Sequence, residues 1–276
     1  MAIPVVGTAV LVDAHWVTRL VASVDHPVDD FFIVNNNGKD SAVVEALDLL
    51  ARMPHRFIKR IHITHMPGNI GCGGAWNLII RCYMHAPYWV ICNDDVAFGP
   101  GLLRELEEKA EADPDVGMIH AYEGDFNVGS WDLFMIRDHI IQQFGLFDEN
   151  LYPAYGEDAD YHMRHVHNPI KKIMNLDANY MHGYGDKTQY HIHGKQSRKS
   201  HPELEEKLTW INDINIDYLT AKWGPGWRTC WPTTVPWQGQ GHHVKDGSFD
   251  LAFARSKHLG DLKIDRGDID VDTTKK

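Results

Sequence analysis

Two acidic stretches carry the residues best suited to chemistry. The first is Asn93-Asp94-Asp95, which closes the apolar run from Tyr88 to Cys92. A run this short and apolar predicts a strand over residues 88–92, buried on both faces. Acidic groups at the end of a buried strand are costly unless they bind something. In open α/β sheets that end is where ligands sit. Asn93 and Asp95 are two apart, so both can lean to one side of an extended chain. Hard oxygen donors in this arrangement suit Mg2+ or Mn2+ carrying a diphosphate. Followed by Gly99-Pro100-Gly101, the same residues also describe an ordinary turn. The second stretch is Gly156-Glu157-Asp158, opening a predicted helix over residues 157–165. Carboxylates there either complement the helix dipole or act as a general base. Tyr152, Pro153 and Tyr155 are apolar neighbours able to raise such a carboxyl's pKa.

A third stretch, Asn69-Ile70-Gly71-Cys72-Gly73-Gly74-Ala75-Trp76-Asn77, is glycine-rich and precedes a helix. Glycines allow close backbone approach, and a helix N-terminus favours an anion such as phosphate. No Gly-Lys-Ser/Thr follows and the spacing is not Gly-x-Gly-x-x-Gly, so it is neither a Walker loop nor a dinucleotide fingerprint. A glycine-lined tight turn is the plain alternative. Asn35-Asn36-Asn37-Gly38 forms a fourth polar cluster at a strand end. Late in the chain, His191 and His193 would put both rings on one side of an extended segment, as a metal pair does.

The elements that must position these residues follow from periodicity. Residues 3–12, 31–34, 57–63 and 88–92 read as strands, and 14–24, 41–53, 73–85 and 102–112 as helices. Four strand–helix alternations in 112 residues are the signature of βαβ units and a mostly parallel sheet. Beyond them, 117–122, 131–136 and 170–176 read as strands, with helices at 137–144, 157–165 and 203–221. In the last helix Leu204, Leu208, Ile211, Ile214 and Tyr218 form the apolar stripe. Residues 231–276 are polar and weakly patterned, so a loosely structured C-terminal extension is expected.

Composition narrows the function. Lys plus Arg total 27 against 38 Asp plus Glu, and the net charge of −11 opposes nucleic-acid binding and docking on anionic lipid. The four cysteines, Cys72, Cys82, Cys92 and Cys230, include no Cys-x-x-Cys pair, so a zinc ribbon is not expected. Their sparse use fits a reducing compartment. No apolar stretch approaches the roughly 20 residues of a membrane span, and the start lacks a signal-peptide pattern. A soluble, cytoplasmic protein without a membrane span is therefore expected.

Taken together, these motifs resemble the inverting nucleotide-sugar glycosyltransferases of family 2, with the glycosyltransferase-A fold, over roughly residues 3–230. Asn69-x-Gly71 through Asn77 resembles the family's Asn-x-Gly element, and Asn93-Asp94-Asp95-Val96 with Pro100-Gly101-Leu102 its aspartate motif. Gly145 to Glu149, then Tyr155-Gly156-Glu157-Asp158-x-Asp160-Tyr161, resembles the acceptor-side segment. His182-Gly183-Tyr184-Gly185 resembles the late histidine element, and Tyr218 to Gly224 a tail of rhamnosyltransferase-like members. The resemblance implies one α/β domain, Rossmann-like, with a mostly parallel central sheet flanked by helices. Residues 1–112 would be its nucleotide-binding half and 113–230 its acceptor-binding half. It implies transfer from a UDP-, dTDP- or GDP-sugar to a glycan hydroxyl, assisted by Mn2+ or Mg2+. Asp158, or else Glu157, would be the base. Asn93, Asp95 and His182 would hold the metal, with His191 and His193 competing for the histidine role. Asn35, Asn37, Asn69, Gly71, Asn77 and Asp94 would line the nucleotide, and Trp131 and Asp132 would contact sugar. The family often has Asp where Asn93 and Asn35 stand. A neutral Asn93 weakens the metal site, while the Asn35 amide could pair with a nucleobase.

Two rival functions share these features. A sugar nucleotidyltransferase would need a basic, glycine-rich N-terminal loop, and the residues after Val12 lack glycine. A catalytically silent carbohydrate-binding protein would keep aromatics without convergent acids. A zinc hydrolase built on the histidines is a remoter third.

Overall fold

The computed structural model describes residues 2–122, 131–167, 172–177, 180–182 and 202–224. The chain runs β1 (Ile3–Val10), α1 (Ala14–Ala22), β2 (Val28–Asn35), α2 (Ser41–Arg52), β3 (Ile58–His65), α3 (Cys72–Cys82) and β4 (Tyr88–Asn93). It continues through β5 (Val96–Phe98), α4 (Leu102–Ala112), β6 (Val116–Tyr122), β7 (Leu133–Arg137) and α5 (Asp138–Phe144). The remaining elements are α6 (Glu157–His167), β8 (Lys172–Asp177), β9 (Tyr180–His182) and α7 (Pro202–Trp223).

Seven strands form one sheet in the order β3-β2-β1-β4-β7-β6-β8. The pairs β1–β2, β2–β3, β1–β4 and β6–β8 are parallel. β7 is antiparallel to both β4 and β6. The first strand thus lies inside the sheet. The chain steps outward through β2 to β3, then returns across β1 to β4. Connections leave β1 and β4 in opposite directions, and a crevice opens between their carboxyl ends.

Strict alternation splits the core. In β2, Phe31 and Ile33 face one helical layer while Phe32 and Val34 face the other; in β4, Val90 and Cys92 oppose Trp89 and Ile91. Apolar groups from α1, α2 and α4 cover the first face, and those of α3, α5 and α6 the second. Both faces being covered explains why these strands read as continuous apolar runs rather than alternating ones. Helix α2 begins because Asp40 caps it, its carboxylate accepting from Ala42 N (2.9 Å) and Val43 N (3.3 Å). Helix α3 lies close on β1. A Cβ at Gly7 would come within 2.6 Å of Ile79, so only glycine admits that approach.

The expected strand at 3–12 ends at Val10, and the one expected from residue 131 starts at Leu133. β5 and β9 were not expected. Each has three residues, too few for a periodicity to register, and they stabilise each other as an antiparallel pair, Val96 opposite His182 and Phe98 opposite Tyr180. His191, His193 and the expected extension at 231–276 lie outside the described residues.

Candidate active site

A cavity of about 190 Å3 occupies the crevice. Ala9, Val10 and Leu11 from the end of β1 form one wall, and Cys92, Asn93 and Asp94 from the end of β4 another. Asn36, Asn69, Cys72 and Trp76 contribute from the β2 end and the start of α3, and Pro153, Ala154 and Leu208 close the far side.

The glycine-rich loop is shaped by its own hydrogen bonds. Asn69 Oδ1 accepts from Gly71 N (2.8 Å), and Tyr152 OH donates to Asn69 O (3.1 Å). Asn36 accepts from Ile70 N (3.4 Å) and donates to Gly71 O (3.3 Å). Gly71 has φ 81°, and a Cβ there would sit 3.0 Å from the Tyr152 ring. Cys72 N donates to Pro153 O (2.7 Å), tying α3 to the segment that precedes α6. Cys72, the first residue of α3, lines the crevice, so the helix N-terminus borders it with its partial positive charge.

On the opposite wall, Asn93 Nδ2 donates to Asp132 Oδ1 (3.3 Å), and Asn93 N to Asp132 O (2.8 Å). Arg19 donates to Asp95 O (2.7 Å), which fixes the β4–β5 turn. Asp94 thus lines the cavity, and Asp95, the next residue, is buried. The β5–β9 register sets the backbone of His182 opposite Val96, the residue following Asp95.

The start of α6 brings the remaining acids. Glu157 is buried against Cys72, and their hydrogen bond, with the Glu157 charge, adds to burial in pushing the Cys72 thiol well above its ordinary range. Asp158 is half-buried, and Ala159 N donates to its Oδ1 (2.7 Å). Burial raises the Asp158 carboxyl, the backbone donors oppose this, and the Asp132 charge pushes the same way as burial. The pocket therefore gathers an apolar slot with amides, the Asp94 carboxylate and the first residue of α3, and the Glu157 and Asp158 charges reach it through Cys72.

The family model for glycosyl transferase family 2 matches residues 14–168. The chain belongs to glycosyl transferase family 2. The sheet with its flanking helices is the glycosyltransferase-A fold. It is similar to the mannosyltransferase PcManGT from Pyrobaculum calidifontis in complex with GDP-Man and Mn2+, with TM-score 0.52 and 14% identity over 63% of this chain and 54% of that one. It is also similar to S. aureus TarS 1–349, with TM-score 0.49 and 14% identity over 65% of this chain and 60% of that one. TarS 1–349 in complex with UDP-GlcNAc aligns with TM-score 0.49 and 11% identity, over 64% and 57%. The chain thus spans 54–60% of the length of these proteins. A comparison with curated proteins finds no match.

Within this family 2 domain Asn69, Asn93 and Asp94 line the crevice; Gly71 and Asp95 are their chain neighbours, and Glu157 packs on the lining residue Cys72, with the Asp158 charge also reaching it. Other expected positions lie elsewhere. Asn35 is fully buried, donating to His65 Nδ1 (2.9 Å) and accepting from Asn37 N (2.9 Å), and neither Asn35 nor Asn37 lines the cavity. Asn36 does, because the chain turns at the end of β2 just where alternation stops applying. Asn77 is fully buried too. Its amide donates to Phe147 O (2.9 Å) and Glu149 Oε1 (2.8 Å) and accepts from Phe147 N (2.8 Å), so it clamps α3 to the segment between α5 and α6. Trp131 sits among rings, 4.8 Å from His120 and 4.9 Å from Phe134 between centroids. Asp132, expected to contact sugar, instead accepts from Asn93 at the end of β4, and Cys72 and Leu208 were missed by sequence reasoning. Among the described residues no helix is long and apolar enough to cross a membrane.

Proposed function

We propose that the chain transfers a sugar from a nucleoside-diphosphate sugar to a hydroxyl of a glycan acceptor, inverting the anomeric centre. The observation that carries this reading is the Asp158 carboxyl. Burial raises its proton affinity, and its charge and that of Asp94 both reach Cys72, which lines the crevice at the sheet's switch point. In this reading Asn36 and Asn69 border the base and ribose, and the α3 N-terminus faces the diphosphate. The acceptor oxygen forms a bond to the anomeric carbon while the bond from that carbon to the diphosphate breaks. Asp158 takes the acceptor's proton, and the electron pair leaves with the nucleoside diphosphate. Glu157, hydrogen-bonded to Cys72, is less suited to that proton transfer than Asp158.

The donor set fits a divalent cation held jointly with substrate. Two adjacent carboxylates plus phosphate oxygens are the usual way Mg2+ is bound. Among the described residues no group of three or more His, Cys, Asp or Glu could hold a metal unaided. Asn93 commits its Nδ2 to Asp132, which leaves its oxygen as the end suited to a cation. Asp95, Asp94 and Asn93 would hold Mn2+ or Mg2+, with His182 adjoining them through the β5–β9 register. The bound cation would offset charge on the departing diphosphate. We assign the reaction to the cytoplasm on the sparse cysteines, of which the described ones, Cys72, Cys82 and Cys92, are free thiols.

Release of nucleoside diphosphate from a panel of UDP-, dTDP- and GDP-sugars tests this reading. Turnover should require Mn2+ or Mg2+ and be lost in Asp95→Ala. Full turnover of Asp95→Ala in the presence of a chelator would overturn the metal assignment. No release from any member of the panel, with acceptor sugars supplied, would count against the reaction itself.

A further inference from the structure

The family match ends at residue 168, and helix α7 begins at Pro202. We propose that α7 belongs to the catalytic unit, and that Lys222 is a positioning residue holding the first turn of α6 in place. This rests on the reading of Asp158 as the base.

One face of α7 reaches every part of the acceptor side. Lys222 Nζ bridges two carboxylates, Asp148 Oδ2 at 2.6 Å and Asp160 Oδ1 at 2.7 Å. Tyr218 OH donates to Asp148 Oδ2 (2.7 Å), and Trp223 Nε1 to Asp160 Oδ1 (2.9 Å). Arg164, from α6 itself, completes the set with Nη2 at 2.5 Å from Asp160 Oδ2. Two cations and two anions cancel, and all four side chains are at most 7% exposed. One turn earlier, Asn215 Nδ2 donates to the carbonyls of Ala154 (3.0 Å) and Tyr155 (2.8 Å). Those carbonyls precede two successive left-handed residues, Tyr155 at φ 74° and Gly156 at φ 103°, which lead directly into Glu157. At the other end of α7, Leu208 lines the cavity.

Stability alone is a weak reason for such an arrangement. Buried ion pairs are commonly matched or exceeded by apolar residues of similar volume. What charge-assisted hydrogen bonds supply is direction. Residues two apart on a helix point about 200° apart around its axis. Asp160, gripped on the α7 side, therefore fixes the rotation of α6 that aims Asp158 away from α7 and toward Asp132, whose charge acts on it. Burial opposes ionisation of Asp160, yet Arg164 and Lys222 hold its carboxyl below the ordinary range, so the grip is charged at neutral pH.

Lys222→Met alone strands buried carboxylates at the expense of the fold, so the informative variant is the charge-matched pair Lys222→Met/Asp160→Asn. Asn retains acceptors and shape at 160, and the remaining Asp148 and Arg164 balance. Tyr218→Phe is the milder companion. The assay follows nucleoside diphosphate release from GDP-mannose and UDP-N-acetylglucosamine, with amide hydrogen exchange over residues 154–160 measured in parallel. The charge-matched pair should stay folded, lose about tenfold or more in kcat, and change the donor KM by less than about threefold. Exchange over 154–160 should quicken by a similar factor, whether or not either donor turns over, while exchange in β1 and β4 stays as in wild type. A charge-matched pair with wild-type exchange at 154–160, or with full kcat, would overturn the proposal. Asp158→Asn separates the two readings. If it retains kcat while the pair loses it, the base assignment fails and the positioning role stands. If it loses kcat while the pair does not, the reverse holds.

Discussion

Asp158→Asn should slow the enzyme and stabilise it at the same time. The substitution keeps the shape and the acceptor for Ala159 N, which now approaches Asp158 Oδ1 at 2.7 Å. It removes the ability to take a proton. General-base catalysis contributes about 10²–10⁴-fold, so transfer should fall by that factor, about 3–5 kcal/mol in the barrier. Stability moves the other way. Burial and the Asp132 charge raise the folded-state pKa of Asp158 above its unfolded value. Such a group stabilises the fold only while protonated, and that contribution is lost as pH rises through the folded pKa. At neutral pH the native chain therefore carries a carboxylate it would bind more readily as the acid, a cost the neutral amide does not have. Asp158→Asn should melt higher than wild type at pH 7, by about 2–4 °C for each kcal/mol recovered. The gap should close as pH falls below the ordinary carboxylate range. In wild type the acid limb of kcat/KM should lie above the ordinary aspartate value of about 3.9. Melting curves from pH 3 to 8, paired with pH–rate profiles, measure both. An Asp158→Asn protein that is less stable than wild type at pH 7 would show that the carboxylate is structurally satisfied, and the base argument would fail with it.

Gly71→Ala should cost about 1–3 kcal/mol and weaken nucleotide binding, because its φ of 81° suits glycine and the new methyl would meet the Tyr152 ring; equal binding by calorimetry would show that the loop does not shape the donor site. At the far edge of the sheet, Arg60 and His62 hold the Asp30 carboxyl below its ordinary range against the opposing effect of burial. That stability is present above the unfolded carboxylate pKa and lost as pH falls through the depressed one. Asp30→Asn should therefore lower stability at pH 7 by about 1 kcal/mol or less, Arg60 being half exposed, and make no difference in strong acid; a pH-independent loss in chemical denaturation would refute the electrostatic account.

Much of the fold was legible because it is built from buried parallel strands, whose apolar runs and intervening helical stripes survive in the sequence. The Tyr88 run, the stripe Trp76, Ile79 and Ile80, and the long C-terminal helix all appear where periodicity puts them. Of the residues that line the crevice, Asn69, Asn93 and Asp94 were legible, where polar residues break the apolar pattern at a strand end and before a helix. What escaped depends on long-range pairing. β5 and β9 exist only through each other, and neither three-residue segment announces itself. Asn35, Asn36 and Asn37 are alike in composition, and only the turn that follows β2 decides which one reaches the cavity. Asn77 and Lys222 are polar residues on buried helix faces, satisfied by partners about 70 positions away, at Phe147, Asp148 and Glu149. A reading based on apolar stripes has no means of seeing such partners.

The most direct test of the account is a crystal structure of the full chain with Mn2+ and a nucleoside diphosphate, UDP or GDP. The account predicts the base beside Asn36 and Asn69, the diphosphate between the α3 N-terminus and the β4–β5 turn, and the metal on Asp95 with the Asp158 carboxyl across the crevice. A nucleotide bound away from the β1–β4 switch point, or a metal remote from Asp94 and Asp95, would contradict it.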